Sequence, residues 1–320
     1  MTVSLADVEA AAARIRGRVL RTPLRHSPAL SAATGGEIFL KLETLQPTFS
    51  YKIRGATNAV LRLVERSEAR APAVVTASAG NHGRAMAHAA AAAGLHLTVY
   101  IAETAPRTKV EAIKAAGAEL RSCADYDEAE RSAKAHAATG EALFISPYAH
   151  PDVIAGAGTV ALEILEEIPD LDAVVASIGG GGLISGAAIA ARGRAMVMGA
   201  EVEASTPFTR SLAAGRIVPI DVGDTIADGL SGNLDPESPT FDLVRDLVQQ
   251  VVVVREEETL DAIAFVAHHE KLIIEGATAV AIAAVRTRRL ALEGKRAAII
   301  LSGANIDSEK LGKLLYRSAQ

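Results

Sequence analysis

The sequence predicts an α/β protein whose parallel sheets are covered by helices on both faces. Three observations predict it. Short β-branched runs alternate with longer Ala-rich segments along the chain, the order expected of strands joined by crossover helices. The apolar runs lack polar alternation, as strands buried on both faces do. At 49% hydrophobic residues over 320 positions, the chain can also bury a large core.

Taken in order, Ser4-Leu5-Ala6-Asp7-Val8-Glu9 starts an amphipathic helix with acidic residues in its first turns. A strand is expected at 37–42, and Pro47 marks the loop after it. The helical pattern at 53–63 puts Lys52 at a helix N-terminus, where the positive end of the dipole disfavours an ammonium. A lysine that forms a Schiff base benefits from such a lowered pKa; an ordinary surface lysine is the alternative. The strand at 73–76 runs into Ala77-Ser78-Ala79-Gly80-Asn81-His82-Gly83. Ser78 and Asn81 suit helix caps, and the N–H groups of this turn could hold a carboxylate. Strands at 97–101, 118–121 and 143–146 then alternate with helices at 108–116 and 125–139.

Four consecutive glycines, Gly179, Gly180, Gly181 and Gly182, follow a strand at 173–178 and precede a small-residue helix. Bare N–H groups at a helix start form an anion site, and phosphate is the usual guest. The segment lacks the Lys-Ser/Thr ending of a P-loop, and its spacing is not G-x-G-x-x-G. ATP or NAD held in the common manner is therefore not expected. Glycines that let a helix pack closely on a sheet are the alternative. Strands follow at 197–202, 251–254 and 297–301, with a helix at 259–269. The stretch 221–240, rich in Gly, Asp, Ser and Pro, is either a surface loop or a wall of a site. Glu275 follows the apolar Leu272-Ile273-Ile274 and is a helix cap or a pocket acid. Ser302 falls at the carboxyl end of a strand, where open α/β sheets place ligand groups; a turn residue is the alternative.

The net charge of −5 gives no case for a nucleic-acid partner. Cys123 is the only cysteine, which excludes an intrachain disulfide and fits a reducing compartment. No basic region precedes an apolar stretch, so no secretory signal is expected. The Ala-rich runs are interrupted within ~20 residues, too short for a membrane span. The expectation is a cytoplasmic protein acting on a small molecule, with neither nucleic acid nor membrane as partner.

Taken together, the segments resemble the fold-type II pyridoxal-phosphate enzymes, and within them the serine/threonine dehydratase and serine racemase group. The resemblance rests on Lys41-Leu42-Glu43-Thr44-Leu45-Gln46-Pro47, Ser50-Tyr51-Lys52-Ile53-Arg54-Gly55-Ala56 and Ser78-Ala79-Gly80-Asn81-His82-Gly83. It continues through Val153-Ile154-Ala155-Gly156, the glycine run with Leu183, Thr225-Ile226-Ala227-Asp228-Gly229 and Ser302-Gly303-Ala304-Asn305. It implies two open twisted-sheet α/β domains, similar to the tryptophan synthase β-subunit, with pyridoxal 5'-phosphate in the cleft between them. Residues 1–68 and 150–320 would form the large domain and 69–149 a smaller inserted one. A homodimer is implied as well. No regulatory domain like that of long biosynthetic threonine deaminases is expected after Asn305.

The resemblance also implies roles. Lys52 would hold the cofactor covalently and move the Cα proton. Gly179, Gly180, Gly181 and Gly182 would cradle the cofactor phosphate, beside which a departing hydroxyl is protonated. Asn81 would meet the ring hydroxyl and Ser302 the pyridine nitrogen, with Tyr51 stacked near the ring and Glu275 among the cofactor contacts. The turn of Ser78, Ala79, Gly80, Asn81 and His82 would take the substrate carboxylate. A neutral serine does not keep the pyridine nitrogen protonated, which suits prompt elimination of a β-leaving group. In the racemase pattern a second serine follows Ser78 and works as acid/base on the other face of the substrate. Here that position is Ala79, and a methyl carries no proton. A dehydratase acting on an L-β-hydroxy amino acid (threonine, serine or a larger analogue) is therefore expected, with a racemase or β-replacement enzyme as the alternative.

Two further departures concern metal and packing. Glu201 matches a cation-ligand position, but Pro207 stands where a second carboxylate is wanted. Divalent cations need several oxygens, so no metal is assigned, although Glu203 could substitute. Ala157 stands where glutamine is usual. Tyr148 and His150 would add polar groups to the side-chain pocket, His150 alternatively being an exposed loop residue. The segments Lys109-Val110-Glu111-Ala112-Ile113, His150-Pro151-Asp152-Val153-Ile154-Ala155-Gly156 and Ser211-Leu212-Ala213-Ala214-Gly215-Arg216 are similar to hydroxyectoine-utilisation dehydratases. That similarity suggests a substrate larger or more polar than threonine.

Overall fold

Each apolar run read as a strand folds as one. The computed structural model describes residues 3–67, 71–105 and 107–317. Its strands are β1 (Leu24–His26), β2 (Glu37–Lys41), β3 (Ala73–Ala77), β4 (Leu97–Ala102), β5 (Glu119–Cys123), β6 (Ala142–Phe144), β7 (Ala173–Ser177), β8 (Met196–Val202), β9 (Gln250–Val254) and β10 (Arg296–Ile300). They form one sheet in the order β1-β2-β10-β7-β8-β9 and another in the order β5-β4-β3-β6. Every pairing is parallel except β1 with β2. β1 is unforeseen: at three residues it is too short to carry a periodic signal.

Both faces of each sheet are covered, as the missing polar alternation requires. In the larger sheet Val174, Ala298 and Ile300 face a core with helices Pro151–Glu167 and Gly182–Ala191. Val175, Ile299 and Leu40 face the opposite core, with helices Glu256–Phe265 and Gly276–Arg286. In the smaller sheet Val74 and Val99 pack on helices Lys52–Arg66 and Asn81–Ala92, while Val75 and Tyr100 pack on Tyr126–Ala138. Ala157 lies in the apolar core, and nothing in the structure explains why alanine stands there. The helix expected at 259–269 starts earlier, at Glu256, and its last turn widens into a π-turn at Val266–Glu270. That turn carries Glu270 inward to Arg25 and Ser27, at 2.7 and 2.5 Å.

The four-stranded sheet falls within 73–144, between the two parts of the chain that build the larger sheet. The domain border expected beside Ala69 lies outside the described residues. No helix among the described residues is long and apolar enough to cross a membrane.

Two features position the site. In each sheet the strand order reverses direction once, between β7 and β10 and between β3 and β6, and ligands bind beyond the carboxyl ends of strands at such points. Helix Lys52–Arg66 is anchored by a buried ion network. Arg54, fully buried, bonds the Glu43 carboxylate at 2.7 and 2.8 Å and Glu163 at 2.6 and 2.8 Å. Buried Lys41 joins it through Glu163 at 2.7 Å. Burial pushes the Glu43 carboxyl up, but the Arg54 guanidinium outweighs it, and the group is held below its ordinary range.

Candidate active site

Lys52 is the first residue of its helix. The loop before it is stitched to the end of β10: Ser50 bridges Gly303, and Tyr51 N–H donates to the Ser302 carbonyl at 2.9 Å. Lys52 and Ser302 are thereby neighbours, although 250 positions separate them. Lys52 Nζ donates to the Pro147 carbonyl at 2.6 Å and lies 5.4 Å from the centre of the Tyr51 ring. Burial pushes its pKa down to about 8, with the Glu275 charge pulling the other way. The depression expected from the sequence is present, and its main cause is burial rather than the helix dipole.

The glycine run is a surface that side chains would fill. A Cβ on Gly180 would lie 2.3 Å from the Tyr148 ring, and one on Gly182 would lie 2.8 Å from the Tyr148 carbonyl oxygen. At Gly181 a Cβ would strike Phe208 at 2.5 Å and Thr240 at 2.9 Å. Gly181 has φ +83° and stands as N-cap of helix Gly182–Ala191 with no side chain capping it, so backbone alone lines this helix start. Thr240 Oγ1 donates to the Gly180 carbonyl at 2.8 Å. Such a cradle fits a phosphate group.

The turn after β3 departs from expectation in one respect. Neither Ser78 nor Asn81 caps the helix: Gly80 is the N-cap, without a side-chain hydrogen bond, and Ser78 Oγ accepts from Gly80 N–H at 3.2 Å. Asn81 is used elsewhere, donating to Glu275 Oε1 at 2.7 Å and accepting from Asn305 at 2.7 Å. His82 is buried, and its Nε2–H points at the Ile145 carbonyl, 3.4 Å away. Burial, then the charge of Lys52, pushes His82 down to about 3, so it is neutral. Its Nδ1 has no hydrogen-bond partner among the described residues.

Glu275 occupies an N-cap position, yet its carboxylate caps nothing. It reaches Asn81 instead, which resolves the cap-or-acid alternative in favour of the acid. Burial, helped by the Asp228 charge, raises it to about 7, against the Asn81 hydrogen bond. Ser302 follows β10 and lies 3.0 Å from Thr278 Oγ1.

These residues surround one cavity of about 290 Å³. Tyr51, Lys52, Ser78, Ala79, Gly80, Asn81, His82, Gly179, Gly180, Gly181, Gly182, Glu275 and Ser302 all line it. The irregular stretch 221–240 supplies a wall through Asp228 and Asn233. Tyr148 lines it too, but His150 does not: its Nδ1 accepts from Asp152 N–H at 3.2 Å and caps helix Pro151–Glu167. Sequence reasoning missed Lys109 and Tyr126. Lys109 pairs with Asp228 at 2.5 Å, a contact between distant segments that no local pattern announces.

The cation position does not fit a metal. Glu201 is buried, and Pro207 opens a helix, Pro207–Ala214. Glu201 Oε1 accepts from Phe208 N–H at 2.8 Å, and Oε2 accepts from Thr209 N–H at 2.8 Å and Thr209 Oγ1 at 2.6 Å. The carboxylate is occupied by donors and faces the positive end of a helix. Glu203 does not substitute; its carboxylate accepts from Glu256 N–H at 2.9 Å.

The family model described as "Pyridoxal-phosphate dependent enzyme" matches residues 15–303. The chain is 40% identical to the L-threonine ammonia-lyase of Thermotoga maritima, over 98% of this chain and 79% of that one. It is 37% identical to the beta-hydroxyaspartate dehydratase of Paracoccus denitrificans, over 95% and 97%. Among solved structures, maize serine racemase superposes with a TM-score of 0.91 at 33% identity, covering 100% of this chain and 98% of that one.

Proposed function

The chain belongs to the pyridoxal-phosphate dependent enzymes, and we propose that within this family it works as a dehydratase. It is an ammonia-lyase that converts an L-β-hydroxy amino acid to a 2-oxo acid and ammonia. The observation that carries this reading is one cavity in which Lys52, the glycine cradle and Ser302 meet while Ala79 presents only a methyl. The names of the two ammonia-lyase and dehydratase relatives support it.

Bound in the cavity, pyridoxal phosphate supplies an electron sink that acidifies the substrate Cα–H. The cradle of Gly179, Gly180, Gly181 and Gly182 would hold its phosphate, Lys52 would hold it covalently in the resting enzyme, and Asn81, Glu275, Tyr51 and Ser302 would fix its ring. The turn from Ser78 to His82 would take the substrate carboxylate at the start of helix Asn81–Ala92. The substrate amine would take the place of Lys52, and the freed amine, depressed to about 8, would be neutral often enough near neutral pH to accept the Cα proton. The β-hydroxyl would then leave with one proton as water, which balances the proton taken from Cα. The released enamine takes that water back on hydrolysis, so the net change is amino acid to 2-oxo acid plus ammonia. Ser302, a neutral partner for the ring nitrogen, favours elimination over a long-lived carbanion.

Residues 1–68 and 150–320 form the large domain and 69–149 the small one in this reading, and the protein works as a homodimer. The similarity to hydroxyectoine-utilisation dehydratases favours a substrate larger or more polar than threonine. A panel of L-serine, L-threonine and longer or acidic β-hydroxy amino acids, scored for 2-oxo acid, tests the reaction class. At least one should yield 2-oxo acid and ammonia in equal amounts. Bound cofactor with no 2-oxo acid from any of them would contradict it.

A further inference from the structure

A cofactor-phosphate cradle built from glycine has no side chains of its own to hold its shape, so neighbours must do so. On one side Tyr148 packs against Gly180 and Gly182. On the other, Phe208 and Thr240 pack under Gly181. Phe208 is the second residue of helix Pro207–Ala214 and is fully buried. The N-cap residue of that helix, Thr206, gives it no side-chain hydrogen bond. The missing cap comes from β8: Glu201 accepts the Phe208 and Thr209 N–H groups, both at 2.8 Å. A carboxylate at a helix N-terminus satisfies orphan donors and opposes the dipole.

We propose that Glu201 is a positioning residue for the cofactor-phosphate cradle, acting through Phe208 without a metal ion. Its carboxylate fixes the first turn of helix Pro207–Ala214, which sets the Phe208 ring against Gly181 and holds that glycine at its left-handed φ of +83°. With the Thr209 hydroxyl at 2.6 Å, three donors occupy the carboxylate, which leaves it poorly placed to join the several oxygens a divalent cation needs. This rests on the reading that the glycines hold the phosphate of pyridoxal phosphate.

The test uses the holoenzyme and Glu201→Gln, whose amide nitrogen turns a donor toward a backbone donor. Losing a charge-assisted hydrogen bond of this kind weakens cofactor retention about tenfold. Retention is measured by dialysis, together with the ³¹P resonance of the bound phosphate. The expected result is faster cofactor loss and a shifted or broadened ³¹P signal. Phe208→Leu keeps the cap, withdraws the ring from Gly181 and should give the same change; it serves also if Glu201→Gln does not fold. Glu203→Gln, outside this contact, should leave both readouts unchanged. Millimolar Mg²⁺ or Ca²⁺ should alter neither readout in the wild-type protein. Lower thermal stability with unchanged retention and ³¹P signal would make Glu201 merely structural and overturn the proposal, as would tighter retention with either cation. A wild-type protein that takes up no pyridoxal phosphate would instead overturn the reading beneath it.

Discussion

In the proposed reaction, Lys52 is the working group at the scale of single residues. Only its neutral amine is nucleophilic or basic, and burial brings its pKa to about 8. The rate at which cofactor-free protein attaches pyridoxal phosphate should therefore rise with pH through about 8 and level off above it. A rate flat from pH 6.5 to 9 would contradict the assignment. Lys52→Ala should lower turnover by about 10²–10⁴-fold or more, measured as 2-oxo acid released. Ala79→Ser offers the complementary gain. A hydroxyl there puts a proton-transfer group on the second face, and a measurable fraction of D-amino acid should appear on chiral chromatography. Lys52, the glycines and Ser302 were legible in the sequence because each sits in a short motif with a local structural cause. For Glu275 the residues alone left cap and acid open and the resemblance placed it among the cofactor contacts, because the choice depends on Asn81, 194 positions away. The cap expected from Asn81 failed for the same reason, since long-range partners claim it, whereas Ser78 Oγ takes the Gly80 N–H within its own turn.

Secondary-structure elements hold these residues in register. The buried Arg54–Glu43 pair fastens helix Lys52–Arg66 to the segment after β2. Removing one partner leaves the other charge buried, so Glu43→Ala should cost about 3–5 kcal/mol of stability by denaturant unfolding. The effect also has a pH signature. The folded-state pKa of Glu43 lies below its ordinary value, so its contribution is present above the unfolded pKa and is lost as pH falls through the folded one. The acid limb of the stability profile should therefore be shallower in Glu43→Gln. At the glycine loop, Gly180→Ala drives a methyl into the Tyr148 ring. Overpacking of about 1–3 kcal/mol should appear as weakened cofactor retention. The strands were readable because continuous β-branched runs are a strong local signal. The π-turn at Val266–Glu270 was not, because the inward turn of Glu270 toward Arg25 and Ser27 is tertiary.

At the scale of the whole molecule, two sheets aim their strand ends at one cavity, and polar side chains tie the two sides together. Lys109 pairs with Asp228, Lys134 with Asp235, and Tyr148 Oη accepts from Asp235 N–H at 2.9 Å. Asp228 and Asp235 belong to the irregular stretch beside the larger sheet, while both lysines come from helices packed on the smaller one. Partly exposed pairs are each worth at most about 1 kcal/mol, so Asp235→Asn should raise KM by no more than about fivefold. Salt should weaken substrate binding in the wild-type protein more than in that variant. If the small side closes over substrate, solution scattering should report a more compact particle on ligand binding. An unchanged profile would count against closure.

The proposed elimination rests on a site with a proton-moving group on one face only. Its most direct test is the partition of products from a single L-β-hydroxy amino acid that the enzyme turns over, with 2-oxo acid and D-amino acid quantified in the same incubation. Equal amounts of 2-oxo acid and ammonia are expected, with the unreacted substrate still wholly L. Accumulation of the D-enantiomer at a rate comparable to 2-oxo acid would contradict it.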